Sequence, residues 1–172
     1  MELDIINALL ITFFYVAPLY IANSSPVLVH GKIPLDLNKK IFGEPIFGKG
    51  KTILGTIAGI TAGTGAGTII YILFPFVQTI LPNYILLAFL LSLGAIFGDV
   101  TKSFFKRRFH IHSGEKWELA DQLDFIIGGI VLSTIVRLPE LWLVVLLLVA
   151  TFFIHKSFNY LAFKLKLKSV PW

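Results

Sequence analysis

Strongly polar residues crowd into one segment of the chain, residues 98–124, which lies between hydrophobic runs. Its three acids are Asp99, Asp121 and Asp124, and the last two lie at the start of the next apolar run. An ionisable group near hydrocarbon costs roughly 2.5–3.5 kcal/mol, so such groups indicate a function. Carboxylates beside Lys and Arg are typical of a divalent metal bound together with phosphate groups. The segment therefore predicts phosphate chemistry at a membrane surface.

The spacing of these acids predicts that they meet. Asp121 and Asp124 are three residues apart, so on a helix their carboxylates share a face. Asp99 lies near the end of the preceding helix, which should run antiparallel to theirs, and three converging carboxylates suit Mg²⁺ holding a polyphosphate. Alternatively, Asp121 and Asp124 cap their helix and pair with bases such as Arg107. Capping explains one acid easily, but not three with Gln122 among them.

The basic residues around the acids have two interpretations. Such a cluster usually marks only the cytoplasmic flank of a membrane span. The adjacent Ser103 and Asp99 favour a second interpretation, because phosphate oxygens need both bases and a metal to spread charge during phosphoryl transfer. The candidate phosphate-binding bases are Lys102, Lys106, Arg107 and Lys116.

A second candidate site lies between the first two apolar runs. Asn23-Ser24-Ser25 follows the first run, and Lys49-Gly50-Lys51-Thr52 leads into the second. Lys49, Lys51 and Thr52 thus stand where a helix N-terminus offers N–H groups to an anion. Gly43 through Lys49 fits the first part of a P-loop, but Gly50 replaces the required Ser or Thr and no strand precedes it. We therefore reject a P-loop and keep phosphate contact.

His110 and His112 form a His-x-His pair that resembles part of a zinc site. The chain has no cysteine, and no third histidine lies nearby. Zinc takes four ligands in structural sites and three protein ligands in catalytic ones. The pair is therefore interpreted as part of a solvated loop.

The composition places these residues in a membrane protein. The 172-residue chain is 56% hydrophobic and 15% charged, with a mean hydropathy of +0.82. A soluble domain averages about 45–50% apolar and about 25% charged residues. The excess basic charge of +5 would suggest nucleic acid in a soluble protein. Here the basic loops of a membrane protein explain it, and no nucleic-acid partner is expected.

Five apolar runs predict an all-α integral membrane protein with five transmembrane helices. The runs are Ile5–Ala22, Thr52–Phe74, Tyr84–Thr101, Leu119–Val136 and Leu138–Phe163. Basic residues concentrate in the segments after the first and third runs and in the tail. The positive-inside rule therefore places the N-terminus outside, the C-terminus in the cytoplasm and the candidate site on the cytoplasmic side of the cell membrane.

The chain is predicted to be a single membrane domain over residues 1–172. The two cytoplasmic loops, about 23–51 and 102–118, are too short to bury independent cores. Any active site must therefore form where these loops meet the cytoplasmic ends of the spans.

Glycines recur every four residues in the second run, at Gly55, Gly59, Gly63 and Gly67. This spacing puts them on one helical stripe, which lets a neighbouring backbone approach closely. The stripe predicts tight helix packing. The alternative is that the missing side chains leave room for a lipid.

Two separated motifs resemble a known enzyme signature. Ser103-Phe104-Phe105-Lys106-Arg107 followed by Asp121-Gln122-Leu123-Asp124 is similar to the signature of the phosphatidate cytidylyltransferases, membrane enzymes that make CDP-activated lipids from CTP. The whole chain resembles their short archaeal relatives, the CDP-archaeol synthases. That resemblance includes Asn-Ser-Ser-Pro after the first run and Phe-Gly-Lys-Gly-Lys-Thr before the second. Gln122 stands where arginine is usual in the bacterial pattern, which favours the archaeal branch.

The resemblance implies that CTP and the isoprenoid ether lipid 2,3-bis-O-geranylgeranyl-sn-glycerol 1-phosphate give CDP-archaeol and pyrophosphate, with Mg²⁺. Asp99, Asp121 and Asp124 would then hold the metal. The basic residues would neutralise the phosphates: Lys102, Lys106 and Arg107 as catalytic residues, and Lys116 as a substrate-binding residue. The remaining candidates for substrate binding are Asn23, Ser24, Ser25, Lys49, Lys51, Thr52, Ser103 and Gln122.

Two other functions also use aspartates in a membrane protein. A CDP-alcohol phosphotransferase has Asp-x-x-Asp-Gly-x-x-Ala-Arg followed by further aspartates, but here Phe125 follows Asp124 and the match stops. A small ion-coupled transporter would use Asp99, Asp121 and Asp124 to couple ions. Such acids usually lie near the midplane of the membrane, whereas these cluster at its cytoplasmic end. No oligomeric state is indicated.

Overall fold

The computed structural model describes residues 5–112 and 115–164 of the chain, and most of them are helical. The helices are α1 (Ile5–Ser24), α2 (Ile53–Leu73), α3 (Val77–Ile80), α4 (Tyr84–Arg108), α5 (Glu118–Ser133) and α6 (Leu141–Lys164). A 3₁₀ turn (Ser25–Leu28) follows α1. The segment joining α1 to α2 carries an antiparallel hairpin, β1 (Lys40–Ile41) and β2 (Glu44–Pro45).

Three of the helices are long and apolar enough to cross a membrane: α1 with its 3₁₀ turn, α2 and α4. The fourth and fifth predicted runs coincide with α5 and α6, within three residues at their starts. The prediction of a helical membrane protein is therefore confirmed.

Helix α4 continues beyond the end predicted for the third run, to Arg108 rather than Thr101. Its last turn contains Lys106, Arg107 and Arg108. Positive charges at a helix C-terminus interact favourably with the helix dipole, which favours continuation of the helix through this basic segment. Consequently Lys102, Ser103, Lys106 and Arg107 project from a helix and not from the predicted loop.

The glycine stripe of α2 packs against α1 and α4. Gly55, Gly59, Gly63 and Gly67 are buried in α2. A Cβ added to Gly63 would lie 2.7 Å from the Pro18 carbonyl oxygen of α1 and 2.4 Å from Ser92 Oγ of α4. The stripe thus brings three helices close together, and the predicted helix packing is confirmed.

Helices α4 and α5 approach each other most closely through other glycines. A Cβ on Gly98 would lie 2.1 Å from the Asp124 carbonyl oxygen, and one on Gly94 would lie 2.3 Å from that of Gly128. This register, in which 94 faces 128 and 98 faces 124, is that of antiparallel helices. Because the two backbones touch here, acids on adjacent turns of the two helices are brought together.

A hydrophobic core joins α1, α4, α5 and α6 beside this contact. Phe14, Leu19, Leu91, Phe125 and Leu147 are among its buried side chains. The Tyr84 hydroxyl donates a hydrogen bond to the Phe14 carbonyl oxygen across 2.9 Å. The core fixes the relative positions of the helices that carry the polar cluster.

Candidate active site

Three carboxylates converge on one ammonium group. Lys102 Nζ on α4 lies 3.2 Å from Asp99 Oδ1 of the same helix. It lies 3.1 Å from Asp121 Oδ1 and 2.8 Å from Asp124 Oδ2, both on α5. The predicted convergence of the three acids is therefore observed, with a lysine at its centre.

Two more lysines complete this arrangement. Lys51, just before α2, places Nζ 2.5 Å from Asp99 Oδ2. Lys106, one turn beyond Lys102, lies 3.1 Å from Asp121 Oδ1 and also donates to the Glu115 carbonyl oxygen at 2.5 Å. We call these six residues the aspartate–lysine cluster: Lys51, Asp99, Lys102, Lys106, Asp121 and Asp124. Its formal charges cancel, which limits the cost of holding ions beside an apolar core.

Asp124 is the most buried acid of the cluster, with 6% of its side chain exposed. Its Oδ1 accepts the backbone N–H of Phe125 at 2.8 Å. Its Oδ2 is ion-paired with the Lys102 ammonium at 2.8 Å. A buried carboxylate is costly to hold without a charged partner, and Lys102 supplies that partner here.

Asp121 both caps α5 and belongs to the cluster. Its Oδ2 accepts the backbone N–H of Trp117 at 2.7 Å, at the start of the helix. Its other contacts are with Lys102 and Lys106. The capping alternative is therefore correct for this one acid, but it does not exclude the ionic role.

The three carboxylates supply oxygen donors of the kind that Mg²⁺ prefers. They come from two adjacent helices, and oxygen ligands suit Mg²⁺. Within residues 5–112 and 115–164, no three acidic or imidazole groups form a ready metal cage. The Lys102 ammonium already lies among these oxygens, at the distances given above. The three carboxylates can therefore bind a metal ion only when the Lys102 ammonium moves away from them.

The two arginines after Lys106 bind the first loop and lie outside the cluster. Arg107 donates from Nε to the Phe47 carbonyl oxygen at 3.2 Å and from Nη1 to that of Ile111 at 2.6 Å. Arg108 donates to the carbonyl oxygens of Ile41 and Pro45 in the hairpin. The structure thus brings Arg107 to the loop backbone instead of to the carboxylates.

Several predicted binding residues make local backbone contacts. Ser24 and Ser25 donate their hydroxyls to carbonyl oxygens of α1, at Tyr20 and Ile21 respectively. Thr52 caps α2, because its Oγ1 accepts the Gly55 N–H at 3.1 Å. Ser103 Oγ donates to the Asp99 carbonyl oxygen at 2.9 Å. These contacts shape the helix ends that surround the cluster.

A polar cavity of about 260 Å³ opens on one side of the cluster. Asp99, Lys49, Lys51 and Thr52 line it together with His30. Two of the predicted first-loop lysines therefore meet Asp99 in one space. Asn23, Ser24 and Ser25 are not among the residues that line this cavity.

An apolar groove of about 450 Å³ lies between α4 and α5 on the other side. Its charged lining residues are Lys102 and Asp124. The rest are mostly hydrophobic and include Phe97, Phe105, Trp117, Leu123 and Ile127. The cluster therefore separates a polar space, lined by Lys51 and Asp99, from an apolar one, lined by Lys102 and Asp124.

Two further predicted residues lie near the cluster. Gln122 on α5 has a buried Oε1 with no hydrogen-bond partner among the described residues. Lys116 precedes α5 in the segment that also carries Glu115. His110 and His112 are largely exposed, at 78% and 80%, as expected for a solvated loop.

Sequence reasoning missed Asp36, a buried acid in the first loop. Burial alone would raise the pKa of this carboxyl. Hydrogen bonds from the backbone N–H groups of Phe47, Gly48 and Asn38 outweigh burial and hold the pKa below its usual value. The only signal in the sequence was an acid flanked by Leu35 and Leu37 in a basic loop.

Known proteins resemble this chain over nearly its whole length. The CarS-like family model, described as CDP-archaeol synthase, matches residues 5–172. The CDP-archaeol synthase of Thermococcus onnurineus is 42% identical, with 97% of this chain and 99% of that protein covered. The CDP-archaeol synthase of Methanocaldococcus jannaschii is 39% identical, with 94% and 96% covered. A solved structure of an intramembrane enzyme for archaeal membrane lipids biosynthesis superposes with a TM-score of 0.77, at 31% identity, covering 86% of this chain and 91% of that one.

Proposed function

Because the chain belongs to the CarS-like family of CDP-archaeol synthases, we propose that the aspartate–lysine cluster is where CTP and the lipid phosphate react. The chain is a CTP-dependent nucleotidyltransferase of archaeal lipid synthesis. The observation that carries the assignment of the site is the position of the cluster between a polar cavity and an apolar groove.

The reaction requires one phosphoryl substitution. An oxygen of 2,3-bis-O-geranylgeranyl-sn-glycerol 1-phosphate attacks the α-phosphorus of CTP and forms the new P–O bond. The bond from that phosphorus to the oxygen bridging the α- and β-phosphates breaks, and pyrophosphate leaves. The attacking oxygen is already ionised at neutral pH, so no strong general base is needed. Catalysis therefore depends mainly on positioning and charge stabilisation.

The polar cavity is the proposed site of the CTP phosphates. Lys49 and Lys51 line it and supply positive charge. Lysine ammoniums are typical phosphate-binding groups. Lys51 is bound to Asp99 here, and phosphate binding would replace that contact with one to the nucleotide.

The apolar groove is the proposed site of the lipid. Its walls are hydrophobic side chains of α4 and α5, which suit isoprenoid chains. Lys102 lies where the groove meets the cluster, so its ammonium can contact a lipid phosphate there. The ether chains would extend from the groove into the bilayer.

Asp99, Asp121 and Asp124 are the residues that would hold Mg²⁺. Their fit rests on three carboxylates that converge on one point, now held by the Lys102 ammonium. When bound, the ion supplies neutralisation of phosphate charge. Lys102 is the group best placed to leave these carboxylates for a phosphate oxygen. Lys106 remains bonded to Asp121 and to the Glu115 backbone, and so keeps α5 in place.

The proposed arrangement in the membrane has five spans, with the N-terminus outside and the cluster on the cytoplasmic side of the cell membrane. Basic residues at the end of α4 and before α2 support this orientation. A small ion-coupled transporter is less well supported, because the relatives are named as synthases.

The test is a reconstituted assay with radiolabelled CTP, the unsaturated ether lipid phosphate and Mg²⁺. We expect labelled CDP-lipid from the wild type, none without Mg²⁺, and none from a folded Asp124→Asn variant. Glu140→Gln is the matched control, since Glu140 pairs with Arg137 and Trp142 away from the cluster. No product from folded wild-type protein would refute the proposal. Product from Asp124→Asn at the wild-type rate would refute the assignment of the site.

A further inference from the structure

The turn that brings Lys51 to the cluster, residues 47–51, is held by a carboxylate outside the cluster. Asp36 Oδ2 accepts the backbone N–H groups of Phe47 at 3.0 Å and Gly48 at 2.9 Å. Its Oδ1 accepts the N–H of Asn38 at 3.0 Å. Asp36 is 6% exposed, so water competes little for these bonds. Hydrogen bonds to an ionised acceptor are roughly twice as strong as neutral ones.

The same turn is held from its opposite side by α4. Arg107 Nε donates to the Phe47 carbonyl oxygen. The two polar groups of Phe47 are therefore fixed by opposite charges, the N–H by Asp36 and the carbonyl by Arg107. A Cβ on Gly48, whose φ is +90°, would lie 2.9 Å from Arg107 Nε. The guanidinium thus packs directly on the turn, and the positive φ of residue 48 favours glycine there.

The segment that carries Asp36 also fixes the far end of the turn. The Leu35 N–H donates to the Lys51 carbonyl oxygen at 2.7 Å, and the Ile53 N–H donates to that of Ile33 at 3.0 Å. The Lys51 N–H donates to the Gly48 carbonyl oxygen at 3.1 Å and closes the turn. The backbone of Lys51 is therefore held by the same short segment that supplies the Asp36 carboxylate.

We infer that Asp36 is a positioning residue for the reaction: it fixes turn 47–51 so that the Lys51 ammonium stands between Asp99 and the polar cavity. A lysine side chain is long and flexible, so the position of its charge depends on where its backbone is held. The inference rests on the proposed function of the cavity as the phosphate site. Asp36 itself touches neither substrate nor the reacting atoms.

A double-mutant cycle tests this role, because a residue that acts through Lys51 has nothing to act on once Lys51 is replaced. The variants are Asp36→Asn, Lys51→Met and the pair, each assayed for kcat and KM toward CTP in the radiolabel assay. Glu44→Gln is the matched control, because Glu44 is a second acid of the same loop and lies 3.5 Å from the exposed His110.

We expect Asp36→Asn to lower kcat/KM for CTP about tenfold or more, since small misplacements of a binding group have large effects on rate. The same substitution in Lys51→Met should change kcat/KM by less than about twofold, the range of additivity error. The KM for lipid should stay near the wild-type value in both backgrounds, and Glu44→Gln should match the wild type.

If Asp36→Asn lowers kcat/KM for CTP by the same factor in the wild type and in Lys51→Met, its effect is independent of Lys51. That result would overturn the inference. Gly48→Ala disturbs the turn without removing the carboxylate and is the second variant should Asp36→Asn unfold. Gly48→Ala should likewise lower kcat/KM for CTP in the wild type but not in Lys51→Met. If it lowers kcat/KM by the same factor in both proteins, the inference is also overturned. Inactive wild-type protein would refute the proposed function together with the inference that rests on it, and is a distinct outcome.

Discussion

Lys102 Nζ lies 2.8 Å from Asp124 Oδ2, and both side chains line the apolar groove as well as the cluster. The ammonium therefore occupies the place among three carboxylates where a divalent cation is proposed to bind. Removing one partner of a buried ion pair leaves an uncompensated charge, at a cost of about 3–5 kcal/mol. Without a bound ligand, the lysine therefore stabilises the three acids, and a divalent cation that takes its place would stabilise them instead.

Lys102→Met tests this link through stability. The variant should melt below the wild type in metal-free buffer, because three acids lose their shared partner. Added Mg²⁺ should raise its melting temperature more than that of the wild type, since ligand binding to the native state stabilises it. Thermal melts in detergent with and without Mg²⁺ measure both effects. Equal Mg²⁺ responses in the two proteins would contradict the exchange of lysine for metal.

Lys51→Met should weaken CTP binding. The loss of one charge-assisted contact is worth about 1.5–3 kcal/mol, so the KM for CTP should rise roughly tenfold to a hundredfold. Lys40→Met is the matched control, because Lys40 is an exposed lysine of the same loop. Steady-state kinetics with varied CTP measure the change. Similar effects of the two substitutions would show that Lys51 contributes only general positive charge.

Gly98→Ala should destabilise the contact between α4 and α5. Its new Cβ would lie 2.1 Å from the Asp124 carbonyl oxygen, and overpacking of this kind costs about 3 kcal/mol. Activity should fall with stability, because the acids on the two helices move apart. Gly65→Ala is the control: a Cβ there meets nothing within 4 Å and should slightly stabilise the helix. Equal melting temperatures for Gly98→Ala and Gly65→Ala would contradict the close approach of α4 and α5.

Ile127→Trp should narrow the apolar groove, which Ile127 lines. We expect the KM for the lipid phosphate to rise about tenfold, equivalent to about 1.4 kcal/mol, while the KM for CTP stays unchanged. Val149→Trp serves as control, because Val149 is exposed on α6 and does not line this groove. A rise in the KM for CTP alone would place the lipid elsewhere.

Asp36 makes the stability of the first loop depend on pH. Its pKa is lower in the folded protein than in the unfolded chain, so its ionised form stabilises the fold. That contribution is complete above the unfolded pKa of about 3.9 and is lost as the pH falls through the lower, folded value. At pH 7, Asp36→Asn should therefore melt at a lower temperature than the wild type. Its free energy of unfolding should be lower by about 1.5–3 kcal/mol. The difference between the two proteins should begin to shrink once the pH falls below about 3.9 and should disappear below the folded pKa. A difference that does not shrink at all as the protein is acidified would contradict the assignment.

The convergence of the acids was predictable from sequence because it follows from local rules. Three-residue spacing puts Asp121 and Asp124 on one face, and antiparallel neighbours bring Asp99 to the same depth. The α2 glycine stripe was equally visible. The glycines that bring α4 and α5 together, such as Gly94 and Gly98, form only a short pair in their own helix. Their role in packing depends on which helix lies against them, and the local sequence does not show that α5 is this helix.

The roles of Arg107 and Asp36 were not predictable in the same way. An arginine beside a lysine has the same sequence pattern whether it faces a phosphate or a backbone carbonyl. Its contact with Phe47 joins residues sixty positions apart. Asp36 was missed because its partners are backbone N–H groups, which every sequence has. Long-range loop folding decides both cases.

The backbone contact between α4 and α5 also constrains how substrates enter. Two helices that touch through glycine have no side chains between them to rearrange, so they act as a rigid frame for the acids. Room for a triphosphate lies instead in the polar cavity, which residues of the loop before α2 line. Two arginines of α4 hold that loop through carbonyl oxygens. We therefore expect the two substrates to reach the acids along fixed walls, the nucleotide from the polar cavity and the lipid from the apolar groove.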